Sequence, residues 1–282
     1  MNPLATADEP FLFSDTSLAR RLEKAEGLAN TWFVEARAHL NPESGAQWIE
    51  VAGARAMFDG VSSPLTQTFG LGLFGEVSGA DLDRIERFYQ DRTAATFHEV
   101  SPLADPALFP LLNERGYRPV EFTSVMFRRV SKGLSLPSTN DRVRVRQIEP
   151  GEQELWARTA AQGWSEFPDL GDFILEFGRV YSESQGAVPF LAELGGEPIA
   201  TGSLVIAQGV ALLAGASTVP AHRKMGAQLA LLDGRLRCAA ERGCDLAMLC
   251  AQPGSISQRN GERQGFRIAY TRTKWQLTRG SN

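Results

Sequence analysis

A chain of 282 residues with 43% hydrophobic residues, 22% charged residues and a formal net charge of −4 has the balance of a globular protein with length for two cores of roughly 150 residues each. That charge excludes a global pull toward nucleic acid or a membrane surface, and no run approaches the ~18 apolar residues of a membrane span. The first ten residues, Met1 to Pro10, lack the basic-then-apolar order of a signal peptide, so a cytoplasmic protein is expected.

In chain order, Trp48 to Gly53 is strand-like and runs into an apolar stretch ending at Gly60. Gly75 to Ala80 is a turn with Glu76 inside it and Asp81 just after. Asp81 to Asp91 places Leu82, Ile85 and Phe88 at helical spacing. Residues 101–118 close on Gly116-Tyr117-Arg118, and Pro119 to Arg128 is strand-like. Ser131 to Asn140 is rich in turn formers and poor in large apolar residues, which marks a linker at 133–141. Gly163 to Tyr181 mixes the aromatics Trp164 and Phe167 with the acids Glu166, Asp169 and Asp172. Phe190 to Gly195 carries Glu193, and Val210 to Ala216 is an apolar strand without a carboxylate. After the helix that follows, Cys244 to Ala251 is strand-like, Gln252-Pro253-Gly254 is a turn, Ser255 to Phe266 is a short helix and turn, and Arg267 to Leu277 is a last strand containing Tyr270.

The segment 214–232 carries the strongest chemical signal. An apolar strand passes through Pro220 into a basic turn, Arg223-Lys224-Met225-Gly226-Ala227-Gln228, that opens a helix with the stripe Leu229, Leu231, Leu232, Leu236 and Ala239. A helix N-terminus has unpaired backbone N–H groups and partial positive charge, so it can hold a pyrophosphate. Gly226 lets the backbone approach such a ligand, and Arg223 and Lys224 add cations beside it. Arg235 and Arg237, further along, suit a small anionic ligand better than a polyanion.

The chain also repeats itself. Gly116-Tyr117-Arg118 falls on Gly265-Phe266-Arg267 without a gap, and Trp48 to Gly53 matches Phe190 to Gly195. Two similar halves, 1–132 and 142–282, follow from this match. In register, the basic turn of the second half falls on Gly75 to Ala80, where Glu76 and Asp81 would oppose a pyrophosphate; the first half is expected to keep its fold and lack that site.

Pro220 followed by Arg223-x-x-Gly226-x-Gln228 at a helix start resembles the acetyl-CoA motif of the GNAT acyltransferase superfamily, Arg/Gln-x-x-Gly-x-Gly/Ala, with Gln228 in place of the last small residue. The closing strand, short helix, Gly-Phe turn and strand are similar to the end of that family's fold, with Gly254 where an asparagine is usual. The resemblance implies an α/β fold: two tandem GNAT-like domains, each a mostly antiparallel, splayed central sheet flanked by helices. It implies acetyl-CoA as acyl donor in the second half, on Arg223 to Gln228, with Ser217, Thr218 and Ser257 along the pantetheine. The acceptor it implies is a small-molecule amine that attacks the thioester directly; the alternative is a non-catalytic acyl-CoA-binding or sensory protein.

For proton transfer the candidates are Glu193 as base and Tyr270, because the position of a tyrosine acid in many family members falls on Gly261. Family members use the segment 163–181 as one acceptor wall, so Trp164 and Phe167 are candidates for an apolar acceptor contact and Glu166 for its ammonium; otherwise the aromatics are core and the acids a solvated face. His39 and His98 have no second ligand at metal spacing, and Ser217 and Ser257 lack a histidine and acid partner. No metal is expected. The cysteines Cys238, Cys244 and Cys250 fit neither a disulfide framework nor a zinc pattern and are expected to be buried thiols.

Overall fold

The computed structural model describes residues 12–133, 136, 140–167 and 170–278. Most of the expected linker at 134–139, as well as Asp169 and the N-terminal segment read above, lies outside them. The first half begins with α1 (Thr16–Leu40), a helix the sequence reading did not single out. Asp15 caps it by accepting from Leu18 N–H, and Leu18, Leu22, Ala25, Ala29 and Phe33 form its buried stripe. There follow β1 (Gln47–Val51), β2 (Ala54–Phe58), β3 (Thr68–Phe69), α2 (Gly79–Gln90), β4 (Phe97–Val100), α3 (Leu108–Glu114) and β5 (Tyr117–Arg129). The second half comprises β6 (Val143–Gln147), α4 (Gln153–Gln162), α5 (Gly171–Glu183), β7 (Ala187–Leu194), β8 (Glu197–Ala207), β9 (Val210–Thr218), α6 (Ala227–Glu241), β10 (Leu246–Ala251), α7 (Ile256–Arg263) and β11 (Arg267–Leu277).

The eleven strands form one mostly antiparallel sheet in the order β1-β2-β3-β4-β11-β5-β10-β9-β8-β7-β6. The halves exchange their last strands. β5, which ends the first half, pairs with β10 of the second, and β11 pairs with β4 of the first. The two exchanged strands meet in a long antiparallel ladder from Arg267 opposite Phe127 to Leu277 opposite Tyr117. The repeat in the sequence is therefore a pseudo-symmetric pair of strands at the centre of one sheet, and the sheet runs across the expected division at 133–141.

Side-chain alternation assigns the two faces. On one face α1, α4 and α5 cover Leu246 and Met248 of β10 with Val210 and Leu212 of β9; on the other α6 covers Ala247 and Ala211. α1 thus belongs to the first half by sequence and covers the sheet of the second. Arg21 pairs with Asp245 at 2.6 Å and Arg37 with Glu176 at 2.5 Å, and both links join the halves.

Candidate functional site

The strands β9 and β10 are parallel neighbours for three residue pairs only, Val210 with Leu246, Ala211 with Ala247 and Leu212 with Met248. Beyond them the strands part. β9 keeps β8 on its other side out to Thr218, and β10 keeps β5 out to Ala251, so the gap opens without breaking the sheet. A slot of about 470 Å³ occupies it, lined by Leu213 to Ala216 of β9, Leu249 and Cys250 of β10, and side chains of α6 and α7. It shares Ala216, Gln228, Leu229, Ser257, Asn260 and Arg263 with an open cleft of about 980 Å³ at the N-terminus of α6.

That helix start is built differently from its counterpart in the first half. Gly226 is the N-cap of α6 with φ of 85°, in the left-handed region that glycine enters without strain, and no side chain caps the first turn. Lys224 also takes a positive φ, 65°. In α2 the corresponding amides are filled from within: Ser78 Oγ accepts from Asp81 N–H while the Asp81 carboxylate accepts from Ser78 N–H at 2.9 Å. The hydrogen bonds from Ser78 hold the Asp81 carboxyl below its usual range, so a fixed negative charge stands where a phosphate would go.

All the residues expected at the cradle line the open cleft: Ser217, Thr218, Arg223, Lys224, Met225, Gly226, Ala227, Gln228 and Ser257. Their side chains are engaged in unequal degrees. Gln228 Nε2 donates to Ser217 O at 2.9 Å and to Thr218 Oγ1 at 2.7 Å, which ties the first turn of α6 to the end of β9. Ser217 Oγ donates to Ala160 O at 3.1 Å and lies 3.0 Å from Thr201 Oγ1. Arg223 donates to Gly163 O and pairs with Glu166 at 2.5 Å. Trp164 and Phe167 are exposed at the rim of the same cleft. Glu166 therefore meets the cradle, through Arg223. Arg259 and Arg263, four residues apart on α7, add two cations to the rim, a helical spacing legible in the sequence.

Neither proton-transfer candidate lines the cleft or the slot. Glu193 is buried on β7 in an ion pair with Arg146 at 2.8 Å, and Arg146 also holds Glu152 at 2.5 Å. Tyr270 is buried under α1, where its hydroxyl donates to Glu23 Oε1 at 2.9 Å. Burial, then Glu23, raises its pKa well above the ordinary value. Arg272 sits between Glu23 and Glu26, donating to both oxygens of Glu26 at 2.6 and 2.8 Å, and pairs with Glu99 at 2.9 Å. Glu26 does not line the slot but touches its wall: Cys250 is a wall residue, and its Sγ donates to the Glu26 carboxylate, 3.5 and 3.6 Å from the two oxygens. Sequence reading missed this contact because α1 and β10 are 224 residues apart at that point.

Neither a family sequence model nor a curated protein matches the chain by sequence. Solved structures do match by shape. A GCN5-related N-acetyltransferase from Kribbella flavida aligns with a TM-score of 0.62 at 22% identity, covering 87% of this chain and 95% of that one. A tandem GNAT protein from the clavulanic acid biosynthesis pathway aligns with a TM-score of 0.57 at 12% identity over 96% of this chain and 98% of its own. This chain has the tandem GNAT fold. A third such structure, a GCN5-related N-acetyltransferase from Sphaerobacter thermophilus, aligns with a TM-score of 0.53 at 18% identity over 77% of this chain and 73% of its own.

Within the GNAT fold the splay of β9 and β10 and the basic turn before α6 lie in the second half; in the first half β3 and β4 pair at Thr68 with His98 and Phe69 with Glu99, and beyond that pair Asp105 N–H donates to Gly72 O at 2.8 Å across the gap. His98 is fully buried and packs against Tyr117 with the rings tilted by 32° and their centroids 4.8 Å apart. Among the described residues neither of its nitrogens has a partner, and burial pushes its pKa down to about 3, so it is a neutral core residue. Among the described residues no group of three His, Cys, Asp or Glu side chains could hold a metal ion, and no helix is long and apolar enough to cross a membrane. The three cysteines are free thiols.

Proposed function

We infer that the second half binds acetyl-CoA and transfers its acetyl group to the amine of a small molecule. The observation that carries this reading is the parting of β9 from β10 after Leu212 and Met248, with an uncapped, glycine-started helix at the mouth of the gap. The residues fit the donor. The amides of the first turn of α6 suit a pyrophosphate, Arg223, Lys224, Arg259 and Arg263 supply cations around it, and the apolar slot suits a pantetheine arm. Acetyl-CoA, when bound, supplies an activated thioester.

Arg223 must change partner for this. Its pair with Glu166 joins two side chains that are each about half exposed, and such pairs contribute at most about 1 kcal/mol. Phosphate, carrying more charge and accepting at several oxygens, displaces it. Release of Glu166 then leaves a carboxylate free beside Trp164 and Phe167, where it can meet the ammonium of the acceptor.

Of the two protons an ammonium sheds on becoming an amide, one ends on the departing sulfur and the other goes to a carboxylate or water. Glu26 stands against Cys250 of the slot wall, with Glu23 and, from β11, Tyr270 behind it, and this group is the proton path we favour over Glu193. Burial pushes the Glu23 carboxyl up to about 7, close to neutrality where a base works best. Cys250 is held as a neutral thiol by burial and by Glu26, so it is no thiolate nucleophile and transfer is direct.

The test is calorimetric titration with CoA beside a free-thiol release assay using acetyl-CoA and an amine panel of polyamines, amino acids and aminoglycosides. Micromolar CoA binding and turnover of a panel member are expected, with binding weakened at least tenfold by Gly226→Glu or Arg223→Glu. Unchanged CoA affinity in both variants would sink the cradle. Binding without turnover of any amine would support a sensory acyl-CoA-binding protein instead.

A further inference from the structure

One buried cation stands on the slot wall away from the basic turn. Arg235, two turns into α6, is 4% exposed and lines the slot opposite Asn260 and Gly261 of α7. It donates from Nε to Leu231 O at 3.1 Å, and from Nη1 to Ser203 O at 3.2 Å and Ala214 O at 3.3 Å. All these partners are neutral carbonyls. Among the described residues no carboxylate pairs with it, and the titratable group beside it is the Tyr181 hydroxyl.

Its position is built for. Gly202 leaves room for the guanidinium: a Cβ there would lie 3.0 Å from Arg235 Cζ. Ala214, whose carbonyl it holds, lies two residues past Leu212, where β9 and β10 last pair, so the cation stands at the closed end of the slot. Burying an ion without a counter-ion is costly, and ionisable groups perturbed by burial cluster at functional sites.

We propose that Arg235 is a catalytic residue that holds the negative charge of the departing CoA sulfur. This rests on the acyl-CoA reading. As the C–N bond forms and the C–S bond breaks, the electron pair of the broken bond passes to sulfur; the guanidinium stabilises that thiolate until it takes a proton from the amine nitrogen. A fixed charge aimed at a site of developing charge in a low-dielectric slot acts strongly. It replaces a proton-donating side chain at Gly261, which has none to offer.

Arg235 remains charged across the relevant range, since burial lowers its pKa only to about 10. The titratable neighbours do not interfere between pH 7 and 9. Burial pushes Tyr181 up to about 12, and burial and Glu26 keep Cys250 protonated.

The experiment compares calorimetric affinities for CoA and for desulfo-CoA, which lacks the thiol, at pH 7 and pH 9. An aliphatic thiol ionises near pH ~8.5, so a site that prefers the thiolate gains affinity as pH rises. In the wild-type chain, CoA affinity relative to desulfo-CoA is expected to rise about tenfold between the two pH values. Arg235→Met should abolish the rise and Arg235→Lys retain most of it, with desulfo-CoA affinity within twofold of wild type in both. A wild-type ratio that does not change with pH overturns the proposal and leaves acyl-CoA binding standing. Failure to bind either ligand overturns both. Should Arg235→Met not fold, the wild-type comparison decides alone.

Discussion

At the residue level, competition for Arg223 is the most accessible test. Glu166→Gln removes the carboxylate that holds it at 2.5 Å and should tighten CoA binding two- to fivefold by calorimetry while changing stability by less than about 1 kcal/mol; weaker binding would mean that the pair organises the cradle. Two buried groups make opposite pH signatures. His98 has a folded pKa depressed to about 3, so the unfolded chain takes up a proton that the folded one refuses, and the stability His98 confers above pH ~6.5 is lost as pH falls, at up to about 1.4 kcal/mol per unit. Glu23 has a folded pKa raised to about 7, chiefly by burial, so its contribution is present below pH ~4.5 and lost as pH rises through about 7. Between pH ~4.5 and ~6.5 the two slopes oppose each other. Urea titrations from pH 4.5 to 7.5 should show His98→Phe gaining stability toward acid and Glu23→Gln losing it; parallel curves for both variants and wild type would refute the assignment.

At the element level, the starts of α2 and α6 make the difference between the halves. α2 closes its own N-terminus with a capping box of Ser78 and Asp81, and α6 begins on Gly226 with nothing but backbone. Ser78→Ala should cost about 1 kcal/mol of stability in chemical denaturation, the usual worth of an N-cap, and leave CoA affinity untouched. A loss of CoA binding in that variant would mean that the first half has a donor site of its own. The strands beside them divide in the same way: past the β3–β4 pair Asp105 N–H donates to Gly72 O, whereas β9 and β10 part after Leu212 and Met248.

At the level of the molecule, strand exchange makes the halves interdependent. β11 has β4 and β5 as its neighbours, both from the first half, and β10 leans on β5. A fragment of residues 140–282 would expose both edges of β11 and one of β10, and would uncover the Leu246, Met248 and Val210 face that α1 shields. That fragment alone should show no cooperative thermal transition by circular dichroism, whereas co-expression with residues 12–132 should restore one complex with a single transition. A cooperative, monomeric 140–282 fragment would show that the exchange is dispensable.

Local order was legible in the chain. The basic turn at Arg223 to Gln228, the helix stripe that follows it, the last strand from Arg267 to Leu277 and the repeat of Gly116-Tyr117 in Gly265-Phe266 rest on neighbouring residues, whose spacing and turn chemistry act before any long-range contact forms. Negative charge near the start of α2 was legible for the same reason, since a capping box spans three residues. Tertiary structure alone decided which strand completes which half, that α1 roofs the sheet of the other half, that Glu23 and Glu26 meet Tyr270, Arg272 and Cys250, and that Arg235 stands at the closed end of the slot with no carboxylate partner among the described residues. Each of these joins residues far apart along the chain, and burial there changes the charge state of a group that looks ordinary in sequence.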